Sequence, residues 1–189
     1  MKNIAIFASG SGTNAQNIAE YFRQHRDIRI SLVLANKPDA YVLERSKLLG
    51  IPSFVFNRND FYENSVVMDI LNEYRVDFIV LAGFLWFIPE TLLKAYPRRI
   101  INIHPALLPR HGGKGMYGER VHQAVIDAGD EQTGITIHFV NERYDEGEII
   151  FQDSFKILPG DTAGSIAQKV HELEYKHFPR VIEGVICGH

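Results

Sequence analysis

At 189 residues the chain fits one domain, 1–189, with a substantial core, and its 46% hydrophobic and 23% charged residues exclude a disordered polymer. A net charge of -3 gives no bulk attraction to nucleic acid or an anionic membrane, so any phosphate must be held by a local device. A single cysteine, Cys187, cannot close an internal disulfide, no signal-peptide profile opens the chain, and no apolar run reaches the roughly 20 residues of a bilayer span, so the expected location is the cytoplasm.

Short apolar runs alternate with stretches of helical period, which predicts a doubly wound, mainly parallel α/β sheet flanked by helices. "NIAIFAS" reads as a buried strand, followed by a helix whose apolar face is Ala15, Ile18, Ala19 and Phe22. "IRISLVLAN" is a second strand, "AYVLERSKLLG" a helix stopped by Gly50, and "IPSFVF" a short third strand. From Phe61 to Tyr74 a stripe of Val67, Ile70, Leu71 and Tyr74 predicts one helix, and "DFIVLAG" a central strand. A short helix opens at Pro89, and "RIINIH" is the next strand. "GITIHFV" and "GEIIFQDSFKI", separated by the turn-rich "NERYDE", predict an antiparallel hairpin added to the sheet. The final helix spans about 161–186 with Pro179 as an expected kink.

Between the first strand and helix lies "SGSGTN", residues 9–14. Gly10 and Gly12 permit positive φ and close approach, and Thr13 and Asn14 stand where side chains can cap the helix. The uncovered N–H groups of a helix start suit a phosphate; a tight turn without a ligand is the plain alternative. A dinucleotide fingerprint fails here, because Ala15 stands where a third glycine is needed and Asn36 where an acid is needed; a Walker loop fails for want of Gly-Lys-Ser/Thr.

In a strand, residues two apart share a face, so Asn102 and His104 point together while Ile101 and Ile103 serve the core. The C-terminal strand ends of an open α/β sheet border its ligand crevice, where His104 is either a proton-handling group or a hydrogen-bonded structural one. Asp145, if it approaches His104, favours the imidazolium and raises its pKa; an ordinary turn aspartate is the alternative. Asn102 offers a neutral donor to an oxyanion. No Ser or Cys occupies a nucleophile elbow, so an acyl group would pass directly to an amine. His104, His111 and His122 lack a zinc-ligand spacing, so no metal is expected. His138 and Trp86 read first as packing residues, and "RHGGKGMYGER" as a lid or an inert loop.

"NIHPALLP" (102–109), "GITIHFV" (134–140) and Asp145, with "SGSGTN" at the start, resemble the folate-dependent formyltransferases over nearly the whole chain. The resemblance implies that same fold and a transfer of formyl from 10-formyltetrahydrofolate to the amine of glycinamide ribonucleotide, with no nucleic acid or membrane partner. It assigns Asn102, His104 and Asp145 to catalysis and Gly12, Thr13, Asn14 and Glu174 to the ribonucleotide. To the folate it assigns Arg58, Leu85, Trp86, Phe87, Ile88, Asn102, Asn141 and Asp145. Trp86 stands where some members carry arginine, and Arg58 lies one place from the family arginine. A formyltetrahydrofolate hydrolase, with water as acceptor, is the alternative; such hydrolases are expected to carry a further domain ahead of this one, as methionyl-tRNA formylation is expected to carry one behind it.

Overall fold

Residues Lys2–Ala8 form β1, and from Ile4 to Ala8 no side chain exceeds 1% exposure. A strand buried on both faces needs an unbroken apolar run rather than alternation, which is what "IAIFA" supplies. In this computed structural model, which describes residues 1–188, the chain divides into two compact units, Met1–Ile101 and Asn102 onward.

In the first unit β1 is followed by α1 (Thr13–Tyr21), β2 (Ile28–Ala35), α2 (Val42–Leu49) and β3 (Ser53–Val55). The chain then forms α3 (Arg58–Tyr62), α4 (Val66–Glu73), β4 (Phe78–Leu81) and α5 (Glu90–Ala95), and enters β5 (Ile100–His104). Its strands are ordered β3-β2-β1-β4-β5, and β1 pairs in parallel with both β2 and β4, from Ala8↔Ala35 on one side to Phe7↔Leu81 on the other. The order reverses at β1, so the loops leaving the C-terminal ends of β1 and β4 flank the switch point where open α/β sheets bind ligands. The helix predicted from Phe61 to Tyr74 is two helices: a reciprocal capping box of Asn57 and Asp60 opens α3, which ends at Tyr62, and α4 begins afresh after Ser65. Pro89 is the N-cap of α5 rather than its first residue.

In the second unit β5 is followed by α6 (Glu119–Asp127), β6 (Gln132–Phe139), β7 (Ile149–Lys156) and α7 (Ala163–Cys187), with strand order β5-β6-β7. β6 and β7 pair antiparallel, the expected hairpin. Its closure depends on Gly147, where a Cβ would lie 1.6 Å from the Phe139 carbonyl oxygen. Helix α7 buries Ile166, Val170, Phe178 and Ile182 on one face, at helical spacing. It is closed at its start by Thr162 and Ser165 in a capping box and runs on through the buried Pro179. Among the described residues no helix is long and apolar enough to cross a membrane, and no group of three or more His, Cys, Asp or Glu is arranged to hold a metal ion.

Candidate active site

The glycine turn follows β1 directly. Ser9 is buried; its N–H donates to the Gly83 carbonyl (3.1 Å) and its Oγ accepts from the Leu85 N–H (3.0 Å), tying the turn to the loop after β4. Gly12 has φ 73°, and a Cβ there would lie 2.4 Å from Val42 Cγ2 and 2.7 Å from Val42 Cα, so both the backbone and the approach of α2 demand glycine. Thr13 and Asn14 do not cap α1 as expected: Gly12 itself is the N-cap, no side chain accepts from the first turn, and Thr13 and Asn14 are the first helical residues. The helix start therefore keeps donors that no side-chain cap takes up, together with the positive end of its dipole. A cation stands beside it. Arg45, on α2, donates from Nε to the Ser11 carbonyl (2.8 Å) and from Nη1 to Gln16 Oε1.

Arg58, Trp86 and Phe87 come together in the first unit. The Arg58 guanidinium lies 4.9 Å from the centroid of Trp86 and 5.9 Å from that of Tyr62, a cation–π arrangement. Tyr62 stacks on Trp86 and donates its hydroxyl to the Phe87 carbonyl at 2.8 Å. Leu85 is exposed and Ile88 buried, with Trp86 and Phe87 half-buried between them. Trp86 is thus a partner of Arg58 as well as a packing residue.

The second unit brings Asn102, His104 and Asp145 together. His104 is 3% exposed, and its Nδ1 lies 3.5 Å from Asp145 Oδ2. Asp145 Oδ1 lies 3.6 Å from His138 Nε2, and Oδ2 accepts from the Gly113 N–H at 2.9 Å. His138 is read first as packing, yet it links the whole group. Its Nδ1 is 2.8 Å from the Phe139 carbonyl, which can only accept, so Nδ1 carries a hydrogen and, in the neutral form of the ring, the lone pair is on Nε2. That lone pair accepts from Asn102 Nδ2 at 3.1 Å, orienting the carboxamide and leaving its second N–H for another acceptor. Nothing in "TIHFV" distinguishes this histidine from a core one; only the β5–β6 neighbourhood does.

The pKa of His104 departs from the expected direction. Burial lowers it and outweighs the Asp145 charge and the His111 carbonyl, which both raise it; His138 and His111 lower it further. The resting ring is therefore biased toward neutrality, a base ready to take a proton. For Asp145 burial acts upward, but the charge that His104 and His138 carry when protonated and the Gly113 N–H act downward, and the carboxyl is held below its usual range.

The segment after His104 is pinned by the hairpin. Thr136 Oγ1 accepts from the Leu108 N–H (2.9 Å) and donates to the Ala106 carbonyl (2.8 Å), while Gln152 Nε2 donates to the Leu108 carbonyl (3.0 Å). Asn141 works inside the hairpin turn, donating to the Glu146 carbonyl at 3.2 Å and accepting from the Arg143 N–H at 2.9 Å.

Glu174 projects from the buried face of α7, its side chain only 6% exposed, and Oε2 lies 2.8 Å from His171 Nδ1. That bond raises the His171 pKa against the opposing effect of burial. His122, on α6, is 4% exposed; burial holds its pKa low despite the Glu174 charge nearby.

The family model described as Formyl transferase matches residues 2–182. The chain is similar to phosphoribosylglycinamide formyltransferase of Bacillus subtilis (strain 168), at 38% identity over 98% of this chain and 95% of the relative.

 The chain is 42% identical to "Phosphoribosylglycinamide formyltransferase, chloroplastic" of Arabidopsis thaliana over 98% of its own length, but it spans only 65% of that relative, just under two thirds. Among solved structures it resembles phosphoribosylglycinamide formyltransferase from Streptococcus pneumoniae TIGR4, with TM-score 0.86, 37% identity, and 98% of this chain and 99% of that one covered.

Proposed function

The chain belongs to the formyl transferase family, and from that premise we propose that residues 1–189 act as one domain transferring the formyl group of 10-formyltetrahydrofolate to the amine of glycinamide ribonucleotide. The observation that carries this reading is the cluster of Asn102, His104, His138 and Asp145, which offers an oriented amide donor beside a neutral, buried imidazole and its carboxylate. The amine nitrogen attacks the formyl carbon, and the carbonyl π electrons move onto oxygen. The free N–H of Asn102 donates to that oxyanion. His104 takes the proton the amine loses; Asp145 favours the charged ring so formed, and the proton passes on to the folate nitrogen as its bond to carbon breaks.

Gly12, Thr13 and Asn14 hold the ribonucleotide phosphate through main-chain donors at the start of α1, with Arg45 adding positive charge. Glu174 serves the glycinamide end. Arg58 and residues 85–88 serve the folate, with Asn141 and Asp145 contributing from the hairpin turn. The protein works in the reducing cytoplasm, although the Arabidopsis relative is named for the chloroplast. Water as acceptor is less well supported, because hydrolysis gives the uncapped helix start and Arg45 nothing to bind.

The test is an assay of the purified protein with 10-formyltetrahydrofolate, with and without glycinamide ribonucleotide, following tetrahydrofolate release. Release that depends on the ribonucleotide is expected; equal release without it would replace the transferase reading with the hydrolytic one.

A further inference from the structure

His104 is held from both ends. Its Nδ1 faces Asp145, and its Nε2 lies 2.8 Å from the main-chain carbonyl of His111. A carbonyl oxygen only accepts, so Nε2 carries a hydrogen, and in the neutral ring the lone pair is then on Nδ1. The His111 carbonyl thereby selects which nitrogen exchanges the proton. Once Nδ1 is protonated, its hydrogen lies against the Asp145 carboxylate.

That carbonyl is held in an unusual way. His111 has φ 55°, in the left-handed region that costs a non-glycine residue about 1 kcal/mol or more. Its own imidazole supplies an anchor, with Nε2 2.7 Å from Asp130 Oδ2. The other carboxylate oxygen, Oδ1, lies 2.6 Å from Arg110 Nη2, so one aspartate grips two consecutive side chains. The Asp130 side chain is only 8% exposed and sits between the end of α6 and the start of β6.

We propose that Asp130 is a positioning residue for formyl transfer: by anchoring Arg110 and His111 it sets the His111 carbonyl on Nε2 of His104 and leaves Nδ1 as the nitrogen that gains and loses the proton. This rests on the reading of His104 as the proton-handling group. The titratable groups facing His104 are Asp145, His138 and His111, and those facing His111 are Asp130 and Arg110.

The experiment is histidine nitrogen-15 NMR on the full chain without substrate, paired with steady-state kinetics, for wild type, Asp130→Ala, His111→Ala and His111→Gln. Wild-type His104 is expected as the Nε2–H tautomer. Both alanine variants are expected to mix tautomers, to titrate His104 at lower pH because a carbonyl favouring the charged ring is lost, and to lower kcat roughly 10- to 100-fold with KM little changed. His111→Ala keeps the Asp130 charge, so it separates loss of the anchor from loss of the charge, and it gives the same readout should Asp130→Ala fail to fold. His111→Gln, whose amide can donate to the same carboxylate, is expected to recover tautomer and turnover. A wild-type Nδ1–H tautomer overturns the proposal, as do alanine variants with unchanged His104 shifts and titration, whether or not turnover falls. The spectra need no substrate, so a failure of acceptor-dependent transfer would remove the proposed function while the tautomer is still decided.

Discussion

At the glycine turn of the first unit a ligand would meet main-chain N–H groups, whereas around His104 in the second unit the working atoms stand at the ends of side chains drawn from β5, β6 and the hairpin turn. The first kind of site is local: a strand end, two glycines and a helix start lie within a few residues. The second is assembled from positions 102, 104, 138 and 145, which only strand pairing brings together. A main-chain site is broken by a change of shape, and a side-chain site by a change of chemistry.

That contrast can be tested by substitution. His104→Ala should lower turnover by roughly 10² to 10⁴ with thermal stability little changed, read by kcat beside a melting curve. Asn102→Ala should cost roughly 10² to 10³ in kcat, the scale of one oxyanion donor, with KM for either substrate nearly constant. Gly12→Ala should behave in the opposite way. The added methyl meets Val42, so we expect about 1–3 kcal/mol of destabilisation and a raised KM for the ribonucleotide, with kcat comparatively spared.

The smallest effect is expected at the start of α7. Lys169, the Leu158 N–H and Ser165 together lower the Asp161 pKa to about 2, so its contribution to stability is present above the ordinary carboxyl value of 3.8 and is lost as pH falls through about 2. Asp161→Asn should therefore melt below wild type at pH 6, and the gap should close as the pH approaches 2. A gap that stayed constant with pH would remove the ion pair as its cause.

Much of the fold was legible because β1, β2 and β4 are unbroken apolar runs whose lengths suit buried strands. Helix α6 was not, since it follows the glycine-rich stretch and its buried face of Val121, His122 and Val125 includes a histidine. The pair Asn102 and His104 was visible from strand alternation alone. His138, Arg45 and the His111–Asp130 pair were not, because each acts on a partner many residues away and its own neighbours give no sign of it. The direction of the His104 pKa also needed the structure: a neighbouring charge can be guessed from sequence, but the burial that outweighs it cannot.

Asp145 has φ 56°, a conformation that aspartate, asparagine and glycine tolerate better than longer side chains. Charge and backbone shape therefore constrain this position together. A saturation library sorted for growth should recover aspartate there and reject glutamate, even though glutamate carries the same charge.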